Sequence, residues 1–135
     1  MPSPPAHGYS ATPLPRKLGI APGSRVALLG APASMPERLG HERPHRRLLG
    51  AYDVIVAFCD SRAALERRLG RMIAALEPRG GLWIAWPKRA SGVASDLDDR
   101  TVREIVLARG LVDNKVCAID GTWSALRFVR RRDPR

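Results

Sequence analysis

Short apolar runs punctuate this chain, and between them apolar positions recur at helical spacing. The runs at 26–29 (Val-Ala-Leu-Leu) and 53–58 (Asp-Val-Ile-Val-Ala-Phe) are near-continuous rather than alternating, as strands buried on both faces are. Before them, Thr12-Pro13 reads as a cap and first position of a short helix that runs through Lys17 and stops at Gly19. Pro22-Gly23 then turns the chain. Residues 31–51 carry weaker signals: one helical turn over 34–39 and a short strand over 46–49. After Ser61, a helix cap, Leu65, Leu69, Met72, Ile73 and Leu76 form one apolar stripe, with Arg67, Arg68 and Arg71 off it. Pro78 to Gly81 ends that helix, and Gly80-Gly81 reads as a tight turn into the strand Leu82-Trp83-Ile84-Ala85-Trp86. Pro87-Lys88 stops the strand, because proline cannot extend a central ladder. Asp98, Asp99 and Glu104 favour a helix over 98–109 that ends at Gly110 and turns Val102, Ile105 and Val106 toward a sheet. Two last strands, 116–119 and 126–129, form a hairpin around Asp120-Gly121-Thr122.

Strands alternating with helices imply a small α/β fold with a mainly parallel, Rossmann-like sheet, closed by a C-terminal antiparallel hairpin. The 135 residues fit one domain, placed at 9–131, between a Pro-rich segment at 1–8 expected to be disordered and a basic tail at 132–135. Aromatic residues make up only 5%, so Leu, Val, Ile and Ala must fill the core. Cys59 and Cys117 each sit at an apolar run and read as buried free thiols of a reducing compartment. The N-terminus has no apolar signal region, and no apolar run approaches the roughly 20 residues that cross a bilayer. A cytoplasmic protein without membrane contact is expected.

The formal net charge is +10, and Lys17, Lys88 and Lys115 are the only lysines. Such an Arg bias in an Ala-rich chain follows from a GC-rich genome, so no single Arg is chosen for its guanidinium on that ground alone. The charge still attracts polyanions. It is carried by Arg38, Arg43, Arg46 and Arg47, by Arg67, Arg68 and Arg71, and by the tail from Arg127 to Arg135. This is either a solvated surface or a non-specific nucleic-acid-binding face; no nucleic-acid motif accompanies it.

Open α/β sheets bind ligands at the carboxyl ends of their strands. That edge gathers Gly30-Ala31, Cys59-Asp60-Ser61, Pro87-Lys88-Arg89 and the turn from Asp120 to Trp123. The candidate ligand-binding residues are Lys88, Ser91, Asp96, Lys115, Asp120 and Trp123, a polar cluster beside an aromatic wall suited to an anion or small ligand. In the other reading, Lys88 and Arg89 pair with Asp96 and order the loop. A phosphate cradle before the 98–109 helix is disfavoured by Asp96, Asp98 and Asp99 at its positive end, and GxxxxGK[ST] is absent. Cys59 with His41 or His45 is a pair on paper only, and a buried inert thiol is the simpler reading. His7, His41 and His45 lack metal-ligand spacing. Trp83 and Trp86 read as core, and Trp123, in a turn, as the exposed aromatic.

Three segments resemble class I methyltransferases: Leu18-Gly-Ile-Ala-Pro-Gly-Ser-Arg-Val-Ala-Leu-Leu-Gly, Ala75-Leu-Glu-Pro-Arg-Gly-Gly-Leu-Trp-Ile, and Arg109-Gly-Leu-Val-Asp with the hairpin. The resemblance implies their lead-in and first strand, their fourth helix and fifth strand, and their C-terminal end. The family's glycine-rich cofactor loop would follow Leu29, where this chain has Gly30-Ala31-Pro32-Ala33. The family also places a ribose-binding acid after its second strand. About 20 residues separate Gly30 from the 53–58 strand, too few for two strand–helix units when one crossover takes about a dozen or more. A shortened sheet is expected, with no cofactor and no catalytic residues. A closer resemblance spans Tyr9 to about Arg131. Tyr9-Ser-Ala-Thr-Pro-Leu, Trp86-Pro-Lys-Arg-Ala-Ser-Gly-Val-Ala-Ser-Asp-Leu and Leu111-Val-Asp-Asn-Lys-Val-Cys-Ala-Ile-Asp-Gly-Thr-Trp-Ser resemble a small, mainly actinobacterial family of unknown function. Together these point to a non-catalytic binding or regulatory module. The alternatives are a small enzyme using Lys88 and a non-specific nucleic-acid-binding protein.

Overall fold

Three apolar runs make the parallel half of one five-stranded sheet. The structure, a computed structural model, describes residues 13–35 and 44–131. Strands β1 (Val26–Leu29), β2 (Tyr52–Phe58) and β3 (Leu76–Pro87) pair side by side in parallel. Strand β5 (Trp123–Arg130) runs antiparallel between β3 and the outermost strand β4 (Leu111–Ala118), giving the order β1-β2-β3-β5-β4. The fold is thus small, α/β and mainly parallel, with an antiparallel C-terminal pair. The helices are α1 (Leu14–Lys17), α2 (Arg62–Ala74) and α3 (Asp99–Leu107), and a single 3-10 turn spans Arg89–Ser91.

Alternation along the strands sends side chains to two cores. On one face Ile55, Ala57, Leu82, Ile84 and Phe128 meet Leu65, Leu69 and Met72 of α2 and Val102 and Val106 of α3. On the other, Val54, Val56, Trp83 and Ala125 meet Leu18, just after α1, and Met35. Ser61 caps α2 by accepting from the Ala64 amide (3.1 Å), and Asp98 caps α3 by accepting from Thr101 (2.8 Å). That hydrogen bond holds the Asp98 carboxyl below its ordinary range. Gly110, at φ +93°, closes α3.

Several expectations are corrected. Gly80-Gly81 is not a turn, and Leu76 does not end a helix; both lie inside β3, whose pairing jumps from Tyr52↔Leu76 to Val54↔Gly81. The chain from Glu77 to Gly80 bulges out there, which lets a Pro- and Gly-bearing stretch stay in a strand. At Gly81 the Arg127 guanidinium lies over β3 where a Cβ would stand, so a larger residue there would have to displace that side chain. Residues 46–49 form no strand. The segment's only ladder contact with the sheet among the described residues is at His45, which bridges Ala27 and exchanges hydrogen bonds with Leu28 and Val26. The last two strands are longer than 116–119 and 126–129, because both extend along a neighbour. The Thr12 cap, the 1–8 segment, the 132–135 tail and most of the 34–39 turn lie outside the described residues.

Candidate functional site

The end of β3 and the β4–β5 turn are joined by backbone. Pro87 pairs with Trp123, and the Lys88 amide donates to the Thr122 carbonyl (2.7 Å). This places Lys88, Asp120 and Trp123 at one corner of the carboxyl edge. Asp120 Oδ1 accepts from the amides of Thr122 and Trp123, both at 2.8 Å, and so builds the turn. Trp123 is in β5 rather than in the turn, and it is half-buried rather than exposed: its ring meets Phe58 edge-on at 4.9 Å between centroids.

The other predicted residues lie apart from this corner or are engaged in loop structure. Ser91 Oγ donates to the Lys88 carbonyl (2.6 Å) and accepts from the Val93 amide (3.1 Å), closing the 3-10 turn. Asp96 Oδ1 accepts from the Arg62 amide (2.7 Å) at the start of α2, and it forms no ion pair with Lys88 or Arg89. Arg89 instead approaches Asp98 at 3.9 Å, with both side chains well exposed. Lys115 is exposed on β4, paired with Arg127 opposite Trp83, well back from the strand's carboxyl end. Among the described residues neither the Lys88 amine nor the Lys115 amine has a hydrogen-bond or ion-pair partner, and of the two only Lys88 stands at this corner. A cavity of about 280 Å³ is lined by Pro87 and Arg89, the chain neighbours of Lys88, and by the loop carrying Asp96 and Asp98, though not by Lys88 itself.

The ends of β1 and β2 are arranged differently. Gly30 sits at φ +65°, and a Cβ there would lie 2.8 Å from the Phe58 carbonyl oxygen and 3.0 Å from an Arg68 nitrogen. Arg68, from α2, donates to that carbonyl (3.3 Å). Its guanidinium therefore lies against Gly30 at the end of β1. Cys59, next in the chain, is buried; burial pushes its thiol up, against the opposing pull of Arg68. His45 is not its partner: Nδ1 lies 2.6 Å from the Tyr52 hydroxyl. Cys117 is likewise a buried free thiol raised by burial. His41 lies outside the described residues. No described helix is long and apolar enough to cross a membrane.

Sequence reading missed the structural arginines. Arg25 donates through Nε to the Ala51 carbonyl (2.6 Å), bonds the Leu49 carbonyl and lies 4.8 Å over the Tyr52 ring. Arg130 donates to the carbonyls of Ile73 and Leu76, both at 2.8 Å, at the C-terminal end of α2. No local pattern marks either one, since both reach partners distant in sequence.

No protein-family model matches this chain, and no curated protein matches it in sequence. Solved structures do match in fold. It superposes on PigF, solved with SAH, at a TM-score of 0.59, 11% identity, and coverage of 90% of this chain and 62% of that one. The N-methyltransferase NodS from Bradyrhizobium japonicum WM9 gives 0.53 at 13% identity, covering 81% and 87%. The ribosomal protein L11 methylase from Lactobacillus delbrueckii subsp. bulgaricus gives 0.52 at 14% identity, covering 81% and 70%. Across similar methyltransferase structures this chain spans from 44% to 87% of the other's length. The fold is methyltransferase-like.

Proposed function

We propose that this chain is a non-catalytic binding or regulatory module on a shortened methyltransferase-like scaffold, with a small-anion site at the carboxyl edge centred on Lys88. The observation that carries the reading is Arg68. In the enzymes it resembles, the glycine-rich cofactor loop follows the first strand. Here that position has Gly30 pressed against the Phe58 carbonyl and the Arg68 guanidinium. β1 is also an edge strand, bridged on its outer side only by His45 among the described residues. Its resemblance to a small bacterial family of unknown function fits a role other than methyl transfer.

Calorimetric titration with S-adenosylmethionine is expected to give no heat of binding at micromolar to millimolar ligand. Saturable micromolar binding would overturn the reading.

Lys88 is tested separately, with pyrophosphate as the probe. Pyrophosphate is expected to raise the melting temperature of the wild type, since a ligand that binds only the folded state stabilises it by mass action. Lys88→Ala is expected to abolish that rise. Its own stability should change by no more than about 0.5 kcal/mol, as for a surface side chain whose amine has no partner, because the backbone bond from Lys88 to Thr122 remains. A fall of about 1–3 kcal/mol, the cost of leaving a buried group unpaired, would make Lys88 structural and remove the site.

A further inference from the structure

A cleft of about 890 Å³ opens alongside α2, on the β1 side of the sheet. Arg67, Arg68 and Arg71 of α2 line it, and so do Arg46 and Arg47 from the segment after the His45 bridge. Leu29, Leu48 and Met72 supply apolar lining, and no Asp or Glu lines it among the described residues. We propose that this cleft holds the sugar-phosphate strand of a single-stranded nucleic acid, without regard to base sequence.

Folding creates this concentration of charge. About 20 positions separate Arg47 from Arg67, so the chain as a string does not bring them together. Gathering five guanidiniums raises self-repulsion, which an anion in the cleft removes. Among the described residues no acid removes it: the ion pairs there join Glu66 to Arg62, Asp98 to Arg89, Glu104 to Arg100 and Asp113 to Arg103. Among the described residues only Arg68 of the five has a protein partner for its guanidinium, the Phe58 carbonyl. Arg67 and Arg71 are exposed, and they are four residues apart on one helix, about 6 Å along its axis. Phosphates of a strand lying between the walls would meet arginines on both sides.

The lining selects among anions. Among the described residues it contains no aromatic residue, so a base has no ring there to stack on, and a lone nucleotide gains little from its base. Affinity then comes from repeated phosphate contacts, which a strand supplies and a mononucleotide does not. A duplex carries its phosphates on a convex rod that cannot enter a cleft of this volume, whereas a single strand can lie within it.

The test is fluorescence anisotropy of the full chain with a labelled mixed-sequence 12-nucleotide single-stranded DNA. Five phosphate contacts on a single strand predict a slope of log affinity on log salt of about −3.5, so binding should weaken about 100-fold between about 50 and 200 mM salt. The double substitution Arg67→Glu/Arg71→Glu is expected to lower affinity at least about tenfold and to make that slope shallower by about 1.4. Arg16→Glu/Arg100→Glu changes the net charge equally but lies outside the cleft. Arg16 is on α1, which packs on the opposite face of the sheet, and Arg100 is exposed on α3. This control should bind within about threefold of wild type. Thermal melts establish that each variant folds, and Arg67→Gln/Arg71→Gln replaces the charge reversal if it does not. The proposal fails if the two doubles weaken binding equally, or if the wild type does not bind at about 50 mM salt. It also fails if a duplex or a nucleoside triphosphate binds as tightly as the strand, or if sequence-selective binding survives about 200 mM salt.

Discussion

Trp83→Ala is expected to destabilise the protein by about 3–5 kcal/mol, the usual cost of truncating a fully buried large aromatic. Trp83 lies in β3, the middle strand of the sheet, between Val56 on β2 and Arg127 on β5, and it is 1% exposed. Its ring fills the core opposite α2 and α3, where among the described residues the cover comes from the short α1 region and Met35. A cavity there has few neighbours able to close it. The indole Nε1 also donates to the Leu18 carbonyl (2.9 Å), fixing the α1 segment to the sheet. Trp83→Phe should keep much of the packing and lose that bond, at a cost between zero and the full effect. Urea denaturation of the three proteins measures both contributions. A loss below about 1 kcal/mol for Trp83→Ala would mean that this face is not a packed core.

The second large effect is expected at Tyr52, and it separates stability from the arginine cleft. Tyr52 is fully buried, and its hydroxyl accepts from the Leu49 amide (2.8 Å) and meets His45 Nδ1 (2.6 Å). With Arg25 stacked on its ring, it anchors the segment that carries Arg46 and Arg47. Tyr52→Ala should cost about 3–5 kcal/mol. Tyr52→Phe keeps the ring and leaves the Leu49 amide and His45 without their partner, for about 1–3 kcal/mol. That variant should still fold, and it should bind the 12-nucleotide strand more weakly because the Arg46–Arg47 wall is no longer fixed. Denaturation and anisotropy on the same samples read the two effects. If Tyr52→Phe is as stable as wild type, the hydroxyl does not anchor the segment.

Local signals in the sequence determined much of the fold. The continuous apolar runs marked β1 and β2, and Ser61 and Asp98 marked the starts of α2 and α3 by offering side-chain oxygens to otherwise unpaired amides. Each depends on neighbours within a few residues. The first half of β3 was not legible, because Glu77-Pro-Arg-Gly-Gly has loop chemistry and becomes strand only through the partner that β2 presents. Nor was the position of β5 between β3 and β4, since pairing order is decided by which edges remain open once α3 has crossed the sheet. At the carboxyl edge, the sequence placed Lys88 beside the turn holding Asp120, because strand ends in a parallel sheet converge, but it put Trp123 in that turn when the residue begins β5. Only tertiary structure decided that Ser91 closes the 3-10 turn, that Asp96 caps α2, and that Lys115 lies back along β4. The arginines make the same point: a guanidinium reads identically in sequence whether it stacks on Tyr52, reaches the carbonyls at the end of α2 or lines a cleft. Its long side chain finds partners through space, so its role is set by what folding brings within its reach.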